Sequence, residues 1–76
     1  MTTVYTKNNC RPCEATKRWL TKHGLTFVEI NLDEHPEARD QLVARGFMES
    51  PVVDSPIGTW SGFRPDLIDL LAKETG

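Results

Sequence analysis

The spacing of apolar side chains changes several times along this chain, and each change marks an element. Thr3-Val4-Tyr5-Thr6 joins β-branched and aromatic residues in one short run, which predicts a first strand. Lys7-Asn8-Asn9 is polar turn material. From Cys10 to His23 there is no glycine, and the only proline sits at the start, where a helix accepts it. Ala15, Trp19 and Leu20 fall on one face of this first helix. Gly24 is its stop, and His23 stands in the last turn, where the carbonyl end favours positive charge.

Thr26 to Leu32 alternates, with Val28, Ile30 and Leu32 on one side and Phe27, Glu29 and Asn31 on the other. That predicts a second strand. Pro36 opens a second helix with the apolar stripe Ala38, Leu42 and Val43, and Gly46 ends it. Pro51-Val52-Val53 reads as a third strand. After a turn at Asp54-Ser55-Pro56, Ile57-Gly58-Thr59-Trp60 reads as a fourth. Pro65 starts a third helix whose Leu67, Ile68, Leu70 and Leu71 are expected in the core.

The order is βαβαββα. A strand, a crossover helix and a second strand require a parallel pair, and a pair joined by a tight turn is antiparallel. The expected class is α/β, a four-stranded mixed sheet flanked by three helices that bury these stripes.

Length turns attention to the cysteines. A chain of 76 residues is expected to be one domain, spanning 1–76. It buries only about 60% of its unfolded surface, so its core is thin. Its two cysteines, Cys10 and Cys13, enclose only Arg11 and Pro12, so a disulfide between them restricts the unfolded chain very little. The pair is there for chemistry, and Cys-x-x-Cys outside a secreted context points to redox or metal. Met1 to Thr6 carries no signal-peptide pattern, and no apolar run approaches membrane length. The net charge is −2 with acids and bases mixed, which argues against a nucleic-acid footprint. A soluble monomer in a reducing cytoplasm is expected, with no nucleic-acid or membrane partner.

Position makes the motif reactive. Cys10 falls between a strand and the first turn of a helix, where free backbone N–H groups and the helix dipole favour negative charge. Its thiol is expected to ionise well below the free value, at a pKa of about 3.5–7.5. Arg11 and Lys7 add positive charge, whereas Glu14 opposes the effect if it faces the sulfur, and its orientation is open. Cys13 returns to the same helical face one turn on. Cys10 is thus the attacking thiolate and Cys13 the resolving one. Pro12 stiffens the turn. Pro51 belongs at a strand start and is a candidate cis bond after Ser50.

The run Val4-Tyr5-Thr6-Lys7, the Cys-x-x-Cys, Ser50-Pro51-Val52-Val53 and Trp60-Ser61-Gly62-Phe63-Arg64-Pro65 together resemble the NrdH-redoxins, glutaredoxin-like members of the thioredoxin superfamily. The likeness runs over nearly the whole chain, and Trp-Ser-Gly-Phe-Arg-Pro is its most specific part. It implies a thioredoxin/glutaredoxin-like fold. It implies a dithiol–disulfide oxidoreductase that gives electrons to class Ib ribonucleotide reductase. The carrier is itself reduced by thioredoxin reductase, so NADPH is used indirectly and no cofactor is bound beyond the Cys10–Cys13 disulfide. By the same resemblance Pro51 is a cis-proline opposite the cysteines, and Ser50 offers backbone groups to an extended substrate. Trp60, Ser61, Gly62, Phe63 and Arg64 form a partner-binding stretch beside the site. A proline before the second cysteine, as in thioredoxins, implies a potential of roughly −270 to −220 mV. Two features depart from the family. Arg-Pro stands between the cysteines where Val-Gln or Met-Gln is commoner, and Asn8-Asn9 replaces a proline-containing lead-in.

Two rival readings compete. A glutathione-dependent glutaredoxin is one, but Phe63 and Arg64 stand where groups pairing with the tripeptide's amino end would be needed. A metal- or cluster-binding module is the other, with Cys10, Cys13, His23 and His35 as a zinc set. The eleven residues between the histidines far exceed the three to five of a zinc finger. By residue type alone Trp60 and Phe63 read as core aromatics and Arg64 as a solvated charge. The resemblance instead implies an exposed docking surface.

Overall fold

The computed structural model describes residues 1–75. Its elements are β1 (Thr3–Thr6), α1 (Arg11–Lys22), β2 (Val28–Asn31), α2 (Pro36–Ala44), β3 (Val52–Ser55), β4 (Gly58–Ser61) and α3 (Pro65–Thr75). The strands form one sheet in the order β2-β1-β3-β4. β1 and β2 are parallel, whereas β3 is antiparallel to both β1 and β4. This is the expected mixed sheet, with the crossover through α1 supplying the parallel pair.

The register explains which face is the core. Glu29, Val4, Val53 and Trp60 lie in one row across the sheet. Val4, Val53 and Trp60 pack with Leu20 of α1 and with Ile68 and Leu71 of α3. Trp19, Leu25, Phe27, Ile57 and Leu67 close around that cluster. The opposite face carries Val52, which shares a groove with Leu42 of α2.

Four expectations need correction. The hairpin turn is Pro56-Ile57, because Asp54 and Ser55 remain in β3, paired with Thr59 and Gly58. Ile57 therefore leaves the strand and packs against the core from the turn. β2 is an edge strand, so its alternation does not become burial: Val28 is exposed, while Phe27 reaches the core and Glu29 faces α1. Leu70 and Val43, expected as core, are 44% and 42% exposed, because each stripe is wider than the arc its helix presses on the sheet.

Candidate active site

Strand direction gathers the site at one end of the sheet. β1 ends there at Thr6, β3 begins there at Val52, and β4 ends there at Ser61. The loop to Cys10, the Ser50-Pro51 step and the segment from Ser61 therefore meet at that end.

Asn9, immediately before the first cysteine, takes a left-handed backbone (φ 54°), which asparagine tolerates better than most residues. Its neighbour Asn8 is tied to β2 and the following turn. The Asn8 N–H donates to Asp33 Oδ2 at 2.8 Å, and Asn31 Nδ2 donates to Asn8 Oδ1 at 3.0 Å. Asn8-Asn9 thus builds with side-chain bonds and a turned backbone what a proline would otherwise stiffen.

Cys10 is the N-cap of α1, with extended φ −116° and ψ 103°. Its carbonyl accepts the Glu14 N–H at 3.2 Å, and its sulfur accepts the Cys13 N–H at 3.2 Å. Pro12, in the first turn, has no N–H to leave unpaired. The sulfur thus occupies the place of a capping side-chain oxygen, against the positive end of the helix. Cys10 and Cys13 form a disulfide with Cα atoms 5.2 Å apart. Cys10 retains 7% exposure and Cys13 only 1%, so an incoming partner reaches the first sulfur before the second.

Arg11 and Arg18 are exposed, and with Asn9, Cys10 and Glu14 they line an open recess of about 650 Å³. The open question about Glu14 is answered by Lys17, whose Nζ lies 3.2 Å from Glu14 Oε1. Lys17 also donates to Glu29 Oε2 at 3.1 Å, and the Thr6 hydroxyl donates to the same oxygen at 2.8 Å. Burial raises the Glu29 carboxyl, but the bonds from Thr6 and Lys17 and the lysine charge outweigh it and leave the group below its ordinary range. Burial likewise lowers the Lys17 ammonium, and its two carboxylate partners reverse that and raise it. This network was not legible in advance, because nothing in the spacing tells that Glu29 turns toward α1 rather than solvent.

The Ser50-Pro51 peptide bond is cis. Ser50 borders a second groove of about 430 Å³ with Lys7, Leu42, Phe47 and Met48. The buried Pro51 offers its carbonyl to the Gly62 N–H at 2.8 Å. Gly62 adopts φ 82°, a conformation side chains resist, and so turns the chain from β4 back against Pro51.

The 60–64 segment divides. Trp60 is 8% exposed and belongs to the core, a correction to its expected place on a docking surface, because its row on the sheet is roofed by α1 and α3. Among the described residues its indole N–H has no partner, and neither has the buried Thr16 hydroxyl on α1. Ser61 and Gly62 are half-buried, and Phe63 is 36% exposed with its ring edge to face against Trp19. Arg64 is exposed but committed. Its Nε and Nη2 donate to the two oxygens of Asp66 at 3.1 and 2.9 Å, which lowers the Asp66 carboxyl and raises the guanidinium.

The histidines of the zinc reading lie elsewhere. His23 Nε2 is 2.9 Å from Asp69 Oδ1, and His35 Nδ1 is 3.5 Å from Glu37 Oε1. Among the described residues no three His, Cys, Asp or Glu side chains converge as a metal cage, and no helix is long and apolar enough to cross a membrane.

Comparison with known proteins agrees with this geometry. The sequence profile of the Glutaredoxin family matches residues 2–54. The glutaredoxin-like protein NrdH of Lactococcus lactis is 44% identical over 95% of this chain and 100% of its own length. That of Escherichia coli K12 is 49% identical over 91% of this chain and 85% of its own. The solved structure of the E. coli NrdH-redoxin, described as having a thioredoxin-like activity profile, superposes with a TM-score of 0.89 at 48% identity, covering 92% of each chain. A glutaredoxin from Archaeoglobus fulgidus shares the fold at a TM-score of 0.77 and 20% identity, over 99% of this chain and 86% of that one.

Proposed function

The chain belongs to the glutaredoxin family, in its NrdH-redoxin branch, and on that premise we propose that this thiol–disulfide oxidoreductase is the electron donor to class Ib ribonucleotide reductase, recharged by thioredoxin reductase from NADPH in the cytoplasm. The observation that carries the reading is the Gly62 N–H to Pro51 carbonyl bond. It holds Ser61-Gly62-Phe63-Arg64 against the cis-proline, at the end of the sheet where the Cys10 loop emerges. Those residues, with Ser50, form the face a protein partner meets while its disulfide approaches Cys10.

The exchange balances as follows. The Cys10 thiolate attacks one sulfur of the target disulfide, and the released target thiolate takes up a proton. Cys13 then gives up its proton and attacks the Cys10 sulfur. The Cys10–Cys13 bond forms, the mixed disulfide breaks, and the second target sulfur leaves and is protonated. Two electrons have moved to the target; of its two protons one comes from Cys13 and the other from solvent, which took the Cys10 proton when that thiol ionised. NADPH supplies the next pair through thioredoxin reductase and leaves as NADP⁺. Arg11 and the N–H of Cys13 favour the attacking anion. Pro12 keeps the turn closed, and Pro51 with Ser50 aligns the target backbone.

Phe63 packed on Trp19 and Arg64 clasped to Asp66 support thioredoxin reductase over glutathione as the electron source, since neither side chain is free to receive the tripeptide's amino end. The test supplies each system separately. NADPH with thioredoxin reductase is expected to drive reduction of insulin disulfides, and of oxidised class Ib ribonucleotide reductase, through this protein. Glutathione with its reductase is expected to leave both oxidised. Turnover by the glutathione system alone contradicts the proposal and favours the glutathione-dependent alternative.

A further inference from the structure

Positions 11, 14 and 18 stand at i, i+3 and i+7 on α1, so they form one stripe running from the mouth of the site along the exposed face. With Asn9 and Cys10 they line the recess already described. The acid of the stripe, Glu14, is drawn to Lys17, which Glu29 shares, and not to either arginine. The two guanidiniums are not: among the described residues neither Arg11 nor Arg18 makes an ion pair or a side-chain hydrogen bond. Arg64, by contrast, is held bidentately by Asp66. A chain of net charge −2 therefore presents an unpaired positive pair at the opening through which Cys10 is reached. The positive end of the α1 dipole adds to it.

From the recess that Arg11 and Arg18 share with Cys10, and from their lack of acidic partners, we infer that the preferred substrate is a polypeptide disulfide flanked by aspartate or glutamate. The inference rests on Cys10 being the sulfur that the target reaches. Guanidinium forks match carboxylates with two parallel hydrogen bonds, and a charged cleft raises the local concentration of its counter-charge. Seven residues of helix separate the two arginine Cα atoms by about 10 Å. An extended target segment covers that distance in about three residues. Two acids about three residues apart, beside the target cysteine, therefore meet both arginines at once. Lysines in those places meet like charge.

The test is single-turnover exchange with the pre-reduced full chain, free of any recycling enzyme, so that it does not depend on the electron source. The substrates are three disulfide peptides of equal length whose cysteine is flanked by Asp, Ser or Lys, with neutral hydroxyethyl disulfide alongside. Products are quantified by acid quench and mass spectrometry. The Asp peptide is expected to react about tenfold or more faster than the Lys peptide at low ionic strength, with the ratio shrinking towards one in about 0.5 M salt. Arg18→Gln is the decisive variant, because Arg18 lies far enough along the helix to act on the target alone. It is expected to reduce the Asp-to-Lys ratio several-fold, and Arg11→Gln with Arg18→Gln to bring it near one. Equal rates for the Asp and Lys peptides overturn the inference, as does a preference that both substitutions leave intact. Failure to reduce even hydroxyethyl disulfide overturns the exchange chemistry itself. Rapid reduction of that compound without an Asp preference overturns only the substrate inference.

Discussion

Trp19 on α1 meets Phe63, beyond the end of β4, edge to face, with ring centroids 6.1 Å apart and planes at 81°. The indole is held from behind. Its N–H donates to Asp69 Oδ1 at 3.2 Å, His23 approaches the same oxygen at 2.9 Å, and Lys22 sits 4.9 Å from the ring centroid. A helix residue thus fixes the one aromatic of the 60–64 segment that shows to solvent. Trp19→Phe keeps a ring against Phe63 and loses the bond to Asp69, at an expected cost of about 1 kcal/mol. Trp19→Ala loses the aromatic pair as well, about 0.5–1.5 kcal/mol more. Urea denaturation reads both. In steady-state assays with thioredoxin reductase, Trp19→Ala is expected to raise the reductase's KM for this protein with kcat little changed. Equal loss with a small disulfide would show a general structural effect instead.

Much of the fold was legible because its punctuation is chemical. Pro36 and Pro65 open helices, Gly24 closes one, and the β-branched run at Thr3–Thr6 has little else to become. Cys10 and Cys13 were legible for the same reason, since a strand-to-helix junction has few other uses for two thiols. What stayed hidden depends on contacts between distant elements. Trp60 is core because α1 and α3 roof β4, and Leu70 is exposed because α3 presses only Ile68 and Leu71 fully inward. Glu29 is half-solvated, yet Thr6 and Lys17 bind it, and they sit 23 and 12 residues away in sequence.

That Thr6–Glu29–Lys17 network gives stability a pH dependence of known sign. The Glu29 carboxyl is lowered on folding, so its contribution is present above the ordinary carboxylate range and is lost as pH falls through the folded value. The Lys17 ammonium is raised, so its contribution is present below the ordinary lysine range and is lost as pH climbs through the folded value. Solvent reaches both groups, so the effect is up to about 1 kcal/mol. Thermal midpoints are expected to be level between about pH 5 and pH 9 from this source and to fall on either side. Glu29→Gln is expected to flatten the acid limb, and an acid limb unchanged in that variant would remove Glu29 as its source.

Thr16, one turn along α1 from Cys13, buries a hydroxyl that has no partner among the described residues. Thr16→Val replaces it with a methyl group of similar shape. The variant is expected to be as stable as the parent or more so, by up to about 1–2 kcal/mol, because an unsatisfied buried polar group is removed. Chemical denaturation of the oxidised protein checks the sign, and a clear loss of stability would mean that the hydroxyl has a partner in solution.

The two cysteines have separable roles because their exposures differ. Cys10→Ser is expected to abolish turnover. Cys13→Ser is expected to stop at the mixed disulfide and accumulate a covalent complex with the partner, visible on non-reducing gels and lost on adding dithiothreitol. A covalent complex formed by Cys10→Ser and not by Cys13→Ser would reverse the assignment.

The capping position of the Cys10 sulfur is most directly tested by its ionisation. In the reduced protein the rate of iodoacetamide alkylation, with the modified cysteine located by mass spectrometry, is followed from acid to alkaline pH. Cys10 is expected to titrate between about 3.5 and 7.5. A midpoint at the free-thiol value of about 8.5 would contradict the account, since the helix terminus and Arg11 would then give the anion no shelter.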